Sequence, residues 1–313
     1  MNTVGVIGAG YWGKKHVEEY TTLGCTVHVA DLLEENRAYC KKKFNVAGTY
    51  SDFKELLKNP EIKHVSICTP NPTHFEVAKA AIESGKHVLI EKPFVMNSAD
   101  GKTLIALAKE KDAHIAVGHV FRFNNAINFI REGLKKGEFG EPYLLKLSWT
   151  NLEPPYADRD VIFDLTPHPF DIVDYFFGQN PDEISAVGGA YRQGKHLESA
   201  FINCRVKDSI IHIEVSWITP KKTRELVLVG SKKTVFADCV GQHVSIYDNK
   251  KKTYYDVGIV ANNTIQDELR NFIHCSNNRH VSVAGAEVGI KVIRLLELVE
   301  ESIKKKKTIH VLP

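Results

Sequence analysis

The chain has 313 residues, of which 43% are hydrophobic and 25% charged, the balance of an ordinary globular protein. Its 41 basic and 38 acidic residues leave a formal net charge of only +3, which argues against a nucleic-acid-binding protein. The one basic run, residues 304–307, is either a binding tail or the lysine-rich carboxyl end of a helix, and we favour the helix end.

The cysteines and the apolar stretches indicate where the protein works. The six cysteines form no CxxC pair and no cluster with histidine at metal-binding spacing, so we expect no metal site and a reducing compartment. No stretch approaches the ~20 consecutive apolar residues of a membrane-spanning helix. No signal-peptide pattern precedes the strand-like residues 3–7. Together these features predict a cytoplasmic protein with neither a membrane nor a nucleic-acid partner.

Short apolar runs alternate with helix-like stretches over the first third of the chain. Continuous apolar runs are typical of strands buried on both faces, and here they cover residues 4–7, 27–30, 65–68, 87–90 and 114–117. The predicted helices between and after them cover residues 13–23, 34–44, 52–57, 73–84 and 98–111. This alternation predicts an α/β domain of the Rossmann type, with a doubly wound parallel sheet.

The pattern changes after Gly118. Strand signals separated by turn residues then cover residues 143–151, 183–190, 199–206, 210–217, 224–229, 234–238, 243–247 and 253–257. Helical stretches are predicted at residues 122–135, 166–177, 264–275 and 284–305. Residues 1–120 are thus the expected Rossmann domain. Residues 121–313 are the expected α+β domain with a large open antiparallel sheet, and its closing helices are candidates to pack back on the first domain.

The first predicted strand runs into a glycine-rich loop, Gly8-Ala9-Gly10-Tyr11-Trp12-Gly13. In such a loop Gly8 allows the tight turn, Gly10 the approach of a pyrophosphate, and Gly13 the close packing of helix on strand. Because a strand precedes the loop and a helix follows it, the free N–H groups of the helix are available to phosphate oxygens. The sequence therefore predicts a dinucleotide site here, with Tyr11 and Trp12 in its loop.

The end of the second predicted strand carries an acidic residue, Asp31. A carboxylate at this position accepts hydrogen bonds from the adenosine ribose hydroxyls and repels the 2′-phosphate of NADP. Leu32 and Leu33 follow, so no arginine stands next to it to hold that phosphate. We therefore predict NAD as the cofactor. The alternative, in which the glycines only turn the chain and Asp31 only caps a helix, is less favoured because strand, loop, helix and carboxylate occur together.

Three further segments carry reactive side chains, two of them directly at or after predicted strand ends. They are Cys68-Thr69-Pro70-Asn71-Pro72-Thr73-His74, Glu91-Lys92-Pro93 and Asp164-Leu165-Thr166-Pro167-His168. Open α/β sheets bind ligands beyond the carboxyl ends of their strands, where the first two segments lie. With the glycine-rich loop, and in this order, the set resembles the Gfo/Idh/MocA oxidoreductase family over essentially the whole chain.

The resemblance implies roles for these side chains in oxidising a secondary alcohol with NAD. Lys92 and His168 would face the nicotinamide and the substrate hydroxyl, with Asp164 nearby. An imidazole titrates near neutrality, which suits His168 as the base, and Lys92 would stabilise negative charge on the oxygen. Asp164 would orient His168. The residues implied near the cofactor are Thr69, Pro70, Asn71, His74 and Glu91.

Each of these residues also has a purely structural interpretation. Lys92 could be a surface lysine, His168 a core histidine, and Asp164 a helix-start residue, although Thr166 followed by Pro167 is the better predicted helix start. Asn71 or His74 could instead cap the helix that starts at Thr73, and Glu91 could form a structural ion pair. A cis Lys92–Pro93 peptide would fit the family, and the sequence does not decide it.

A segment from Gly118 through Arg122 and Asn124 resembles the sugar-nucleotide branch of the family, as does the stretch from Arg159 to Asp164. Asn125 replaces the branch's usual proline. Guanidinium groups contact phosphate oxygens in pairs, so Arg122 and Arg159 are candidates for a substrate diphosphate, with ordinary salt bridges as the alternative.

The resemblance implies an NAD-dependent dehydrogenase acting on a sugar nucleotide such as UDP-N-acetylglucosamine at its 3-hydroxyl. Three alternatives remain: a dehydrogenase of a free sugar or polyol such as glucose or inositol, a redox-neutral NAD-dependent glycosidase, and a non-enzymatic NAD-sensing regulator. The presence of Lys92, Asp164 and His168 argues against the regulator. The family also implies a homodimer or homotetramer formed through the second domain's sheet.

Overall fold

The computed structural model of the protein describes residues 2–156, 159–192 and 195–311. The chain folds into two compact units. The first unit contains the residues up to Val120 together with Asn263–Ile293, and the second contains Phe121–Asn262 together with the residues from Arg294 onward. The segment 121–313, expected to form one domain, is therefore shared between the two units.

The first unit contains a six-stranded parallel sheet in the order β3-β2-β1-β4-β5-β6. Its strands are β1 (Thr3–Ile7), β2 (Thr26–Ala30), β3 (Gly48–Tyr50), β4 (His64–Ile67), β5 (His87–Ile90) and β6 (Ile115–Val117). The doubly wound sheet predicted from the apolar runs is thereby confirmed; only the three-residue β3 was not predicted. Strand order reverses between β1 and β4, and ligands of open α/β sheets bind at the carboxyl ends of the strands at such a point.

The helices of the first unit follow the predicted segments closely. They are α1 (Tyr11–Thr22), α2 (Glu34–Phe44), α3 (Phe53–Leu57), α4 (His74–Glu83), α5 (Ser98–Glu110) and α9 (Thr264–Asn278), with the start of α10 (Ala286–Lys305). Helix α9 packs against α1, and Leu269 and Phe272 join Val17 and Tyr20 in one buried apolar cluster. This packing explains why a segment so late in the chain belongs to the first unit.

The second unit contains a nine-stranded sheet in the order β14-β13-β12-β11-β7-β10-β9-β8-β15. Its strands are β7 (Pro142–Leu152), β8 (Glu183–Gly189), β9 (Ser199–Val206), β10 (Ser209–Ser216), β11 (Ile218–Gly230), β12 (Lys233–Asp238), β13 (His243–Asp248), β14 (Thr253–Val257) and β15 (Ile309–His310). The sheet is antiparallel as predicted except that β7 and β10 are parallel. The long connection from 153 to 208 makes that pairing feasible, because parallel neighbours need a crossover.

Alternation along the central strands gives this sheet a buried face and an open face. On β7 the buried apolar side chains are Leu145, Leu147 and Trp149, while Lys146 between them is exposed. The helices of this unit are α6 (Asn125–Lys135), α7 (Val161–Leu165) and α8 (Pro167–Phe177), with the part of α10 from Arg294 onward, and α7 packs against β9 and β10. Within the described part of the chain, no helix has the length and apolar character needed to cross a membrane.

Candidate functional site

The glycine-rich loop of the first unit has the geometry that a pyrophosphate requires. Gly8 has φ +87°, and a Cβ there would lie 2.7 Å from the carbonyl oxygen of Cys68. A Cβ on Gly13 would lie 1.8 Å from the carbonyl oxygen of Gly8, so both positions need glycine. Gly10 has open space around it and begins α1 without a side-chain cap. The amino-terminal N–H groups of α1 can therefore take phosphate oxygens of NAD.

Two aromatic side chains extend outward from this loop. Tyr11 is 71% exposed and Trp12 is 37% exposed, although both are large and apolar. The ammonium of Lys15 lies 4.9 Å from the centroid of the Tyr11 ring and 5.1 Å from that of Trp12. A cation held against two rings at the start of α1 adds positive charge to the helix end that would meet the phosphates.

The Asp31 carboxylate ties the loop to the start of α2. Its Oδ2 accepts a hydrogen bond from the N–H of Ala9 (2.6 Å), and its Oδ1 accepts one from the N–H of Leu33 (2.8 Å). The residues directly after Asp31 include no arginine, but the structure brings Arg37 to it from one helical turn further on. The Nη1 of Arg37 donates to the carbonyls of Asp31 (2.6 Å) and Leu32 (2.9 Å).

His74 holds the segment after β5 in place. It is fully buried, and its Nδ1 lies 2.8 Å from the carbonyl oxygen of Pro93 and its Nε2 3.0 Å from that of Thr69. Burial lowers the pKa of His74, while the two carbonyls oppose that shift. His74 therefore links the two strand-end segments. Asn71 is buried beside it in a short 3-10 helix, Asn71–Thr73.

The Glu91-Lys92-Pro93 segment contains a cis peptide between Lys92 and Pro93. The Glu91 carboxylate is hydrogen-bonded to His16 Nε2 at 3.0 Å and accepts a hydrogen bond from the N–H of Lys92 at 3.2 Å. Burial raises the pKa of Glu91, but His16 and Lys92 outweigh it and leave that pKa below its ordinary value. Glu91 thus forms the structural ion pair, here with His16, that the sequence offered as its alternative role. Its backbone carries the half-buried Lys92 directly beyond β5.

In the second unit, Asp164 lies one turn before the start of α8. That helix begins at Pro167, directly after Thr166 as predicted, but Thr166 has helical dihedral angles and makes no capping hydrogen bond. The short helix α7 before it was not predicted. Its start is capped by the Asp160 carboxylate, which accepts hydrogen bonds from the N–H groups of Ile162 and Phe163, both at 3.0 Å. Asp164 therefore lies inside α7 rather than in a loop.

Asp164 and His168 each contact an aromatic side chain of the second unit. The Asp164 Oδ2 accepts a hydrogen bond from the indole Nε1 of Trp217, 3.0 Å away. The His168 ring meets the Phe121 ring edge to face with centroids 5.0 Å apart, and Phe121 in turn meets Trp149 at 5.4 Å. The imidazole thus stands against an aromatic wall, formed by Phe121 and Trp149, on the buried face of the sheet. The Asp164 carboxylate is oriented by Trp217, which directly follows β10.

The candidate diphosphate residue Arg122 is instead part of a buried ion pair. Its Nε lies 2.6 Å from Asp171 Oδ1, and its Nη2 lies 2.6 Å from Asp174 Oδ2. Asn124 caps α6, where its Oδ1 accepts from Ala126 N–H at 3.0 Å. Its Nδ2 also donates to the Cys239 carbonyl. Both residues thus have structural roles here, and we do not carry them into the proposed substrate site.

Arg159, the other candidate, lies against an aromatic ring. Its guanidinium carbon is 4.1 Å from the centroid of Tyr156, and the Tyr156 hydroxyl donates to Glu153 Oε2 at 2.8 Å. Tyr156 also meets the Trp217 ring, with centroids 5.1 Å apart. A small cavity opens at this point, lined by Pro155, Tyr156, Lys195, His196, Glu198 and Trp217. Within residues 2–156, 159–192 and 195–311, no cluster of three or more His, Cys, Asp or Glu could hold a metal ion.

Comparison with known families assigns both halves of the chain. Residues 2–119 match the model of the oxidoreductase family with an NAD-binding Rossmann fold, GFO_IDH_MocA. Residues 127–236 match the GFO/IDH/MocA C-terminal domain. The chain belongs to the Gfo/Idh/MocA oxidoreductase family. As a member of this family it is an NAD-dependent dehydrogenase that acts on CH–OH groups, which confirms the predicted reaction type and cofactor.

Curated relatives within the Gfo/Idh/MocA family differ in substrate. The chain is 35% identical to UDP-N-acetylglucosamine 3-dehydrogenase of Acidithiobacillus ferrooxidans over 245 residues, 78% of this chain and 76% of that one. It is 25% identical to myo-inositol 2-dehydrogenase of Thermotoga maritima, covering 98% of this chain and 97% of that one. The family is therefore established and the substrate is not.

Solved Gfo/Idh/MocA structures share the fold over nearly the whole chain. The Acidithiobacillus ferrooxidans UDP-N-acetylglucosamine 3-dehydrogenase superposes with a TM-score of 0.87 at 24% identity, covering 97% of this chain and 98% of that one. A levoglucosan dehydrogenase solved with NADH and levoglucosan superposes with a TM-score of 0.90 at 18% identity, covering 100% of both chains. At these identities the likeness establishes the fold alone.

Two further residues of the second unit's site were not predicted from the sequence. Trp217 follows Ile211, Ile213 and Val215 at the spacing of two that marks the buried face of β10. Arg224 stands two residues before the buried Leu226 on β11, so a charged side chain occupies an inward-facing position. In both cases the available signal was an alternation that continued beyond the apolar residues.

Proposed function

We propose that this dehydrogenase oxidises a secondary hydroxyl of a sugar nucleotide, such as the 3-hydroxyl of UDP-N-acetylglucosamine. The observation that carries this proposal is the 35% identity to UDP-N-acetylglucosamine 3-dehydrogenase over 78% of the chain. The second unit supports it with an imidazole held against Phe121, a carboxylate bonded to Trp217, and an arginine stacked on Tyr156, which lines a small cavity together with Trp217.

The proton of the substrate hydroxyl is handled by the protein in this proposal. Bound NAD supplies the hydride acceptor for the carbinol carbon. His168 takes the hydroxyl proton, and the aromatic wall at Phe121 restricts the imidazole's orientation. Lys92 donates a hydrogen bond to the same oxygen and stabilises the negative charge that develops on it. Asp164, fixed by Trp217, is a positioning residue for His168.

The cofactor would be held entirely by the first unit. The amino end of α1 takes the pyrophosphate, with Gly10, Tyr11 and Trp12 around it. The Asp31 carboxylate accepts hydrogen bonds from the adenosine ribose hydroxyls, and Arg37 donates one to the Asp31 carbonyl oxygen. The strand-end residues Thr69, Pro70 and Asn71 line the nicotinamide side, and His74 and Glu91 hold that region rigid from below.

A free sugar or polyol is the second candidate substrate, since the myo-inositol 2-dehydrogenase relative covers 98% of the chain at 25% identity. The two candidates differ in the diphosphate, for which Arg159 is the retained partner. We also propose a homo-oligomer formed through the open face of the nine-stranded sheet, where Phe201, Ile210 and Tyr254 are exposed. Six unbonded cysteines support a cytoplasmic location.

The test is NADH formation by the purified protein with excess NAD and a panel of UDP-sugars, free sugars and polyols. Turnover of UDP-N-acetylglucosamine with little turnover of glucose or myo-inositol supports the proposal, and the reverse preference overturns it.

His168→Ala and Lys92→Ala should each lower kcat by about 100-fold or more while NAD affinity stays within a few-fold. Near-normal turnover would remove that residue from the mechanism. Light scattering gives the subunit number.

A further inference from the structure

Two arginines of the second unit, the buried Arg122 and the half-buried Arg224, have opposite surroundings. Arg122 is enclosed by the carboxylates of Asp171 and Asp174, and its charge is neutralised in place. Arg224 lies on β11 at the same side of the strand as the buried Leu226. It is half-buried, yet it forms no ion pair with any residue that the structure describes. A guanidinium in such a position ordinarily has an anionic partner.

The hydrogen bonds that Arg224 makes to described residues all go to neutral oxygens. Its Nη1 donates to the carbonyls of Thr150 (2.9 Å) and Thr223 (2.7 Å), and its Nη2 donates to Asn151 Oδ1 (2.9 Å). A guanidinium has five N–H donors, so these three bonds leave the Nε–H and one N–H of Nη2 for another acceptor. The neutral acceptors hold the group rigidly without compensating its charge.

The nearest carboxylates act on Arg224 only through space. Burial lowers the pKa of Arg224, and the negative charges of Asp164 and Glu153 oppose that shift without accepting a hydrogen bond from it. Glu153 already accepts a hydrogen bond from Tyr156, and Asp164 one from Trp217. Both carboxylates thus accept hydrogen bonds from other side chains, and neither accepts one from Arg224.

Arg224 lies beside the aromatic wall of Phe121 and Trp149 that His168 contacts. It lies directly opposite Trp149 in the pairing of β11 with β7, and Trp149 contacts Phe121, which contacts His168. The Trp149 indole N–H is buried and has no acceptor in the part of the chain that the structure describes. A second donor without an acceptor, beside the first, indicates that this part of the wall is built for an oxygen-bearing ligand.

We propose that Arg224 binds an anionic group of the substrate through its Nε–H and the remaining Nη2–H, so that the preferred substrate carries a carboxylate or phosphate. Adjacent guanidinium donors match the paired oxygens of either group. The inference rests on the proposed function only in taking the wall around His168 as the substrate site. It assigns to Arg224 the anion contact that the buried ion pair of Arg122 leaves unfilled.

Binding measured without turnover tests this assignment. The protein is loaded with NADH, which prevents oxidation of an alcohol, and is titrated by calorimetry with UDP-N-acetylglucosamine, UDP, D-glucuronate or myo-inositol. Arg224→Gln should weaken binding of the anionic probe by at least about tenfold, and Arg224→Lys by less. Arg205→Gln is the matched control, since Arg205 is an exposed arginine of the same sheet paired with Glu183.

The identity of the anionic probe distinguishes the two sources of negative charge. Arg224-dependent binding of UDP indicates a phosphate group, and Arg224-dependent binding of D-glucuronate indicates a carboxylate. The proposal is overturned if no anionic probe binds, or if Arg224→Gln weakens myo-inositol and the anions equally in protein with an unchanged melting temperature. Glucuronate binding without UDP-sugar oxidation would retain Arg224 and reject the sugar nucleotide. Oxidation of UDP-N-acetylglucosamine with an unchanged KM in Arg224→Gln would retain the sugar nucleotide as substrate and reject the anion-binding role of Arg224.

Discussion

The indole of Trp217 donates a hydrogen bond to the Asp164 carboxylate over 3.0 Å, although 53 positions separate the two residues in the chain. Trp217 is fully buried at the end of β10, so its ring position is fixed by packing. A donor that is held in place orients the carboxylate it contacts. Through this bond the sheet of the second unit controls a residue that we propose positions His168.

Trp217→Phe tests this control because it removes the N–H donor while keeping an aromatic ring at the position. A hydrogen bond to a charged group contributes about 1.5–3 kcal/mol, so we expect kcat to fall about tenfold or more, with NAD affinity and substrate KM nearly unchanged. The double variant Trp217→Phe/Asp164→Asn should lose no more than Asp164→Asn alone. Additive losses would mean that the two side chains act independently.

Arg122 gives a prediction about stability rather than catalysis. Arg122→Met leaves the carboxylates of Asp171 and Asp174 without their cation, which should lower the free energy of unfolding by about 3–5 kcal/mol. Arg205→Met, at an exposed pair, should cost less than about 1 kcal/mol. Urea denaturation measures both. An unchanged stability with a tenfold higher KM for a UDP-sugar would restore the diphosphate role of Arg122.

Three histidines begin, or directly precede, neighbouring strands of the first unit. The ring centroid of His64 lies 5.6 Å from that of His87, and Phe272 packs against the rings of His64 and His114. Burial lowers the pKa of His64 to about 4, with further lowering by His87 and His114 and partial opposition from Asn277. Burial lowers the pKa of His87 and of His114 as well.

We expect these shifts to make the first unit sensitive to acid. Because the pKa of His64 is lower in the folded chain than in the unfolded one, the unfolded chain binds more protons between about pH 6.5 and pH 4. The contribution of neutral His64 to the free energy of unfolding is therefore complete above pH 7 and is lost as the pH falls. We expect His64 to reduce the free energy of unfolding by about 2 kcal/mol between pH 7 and pH 5. His64→Phe should flatten this dependence in urea denaturation at each pH, and the exposed His280→Phe should not.

We expect Asp31 and Arg37 together to set the choice between NADH and NADPH. Asp31→Ser removes the carboxylate that we propose accepts the ribose hydroxyls and repels a 2′-phosphate, while Arg37 remains on the adjacent carbonyls. We expect NADH affinity to fall by about 10- to 100-fold and the ratio of NADPH to NADH affinity to rise. Fluorescence titration measures both cofactors. The variant Asp31→Ser/Arg37→Gln should not show the rise, and an equal rise would exclude Arg37.

Local features of the sequence were sufficient for the glycine-rich loop and for five of the six parallel strands. The glycine-rich loop lies between a strand and a helix that are contiguous with it, so its shape depends on neighbours a few residues away. The parallel strands are buried on both faces, and their continuous apolar runs mark them directly. Asp52, at the start of the predicted helix 52–57, caps α3 with its carboxylate accepting from Lys54 N–H.

Tertiary structure alone decided the roles of the polar residues in the second unit. Whether Arg122 meets phosphate or carboxylate depends on α8, which brings Asp171 and Asp174 to it from about fifty positions away. The Asp164–Trp217 bond and the surroundings of Arg224 likewise depend on strand order and register. Hydrophobic periodicity fixes which face of an element is buried, but it contains no information on which elements are neighbours, and side-chain partners follow from the neighbours.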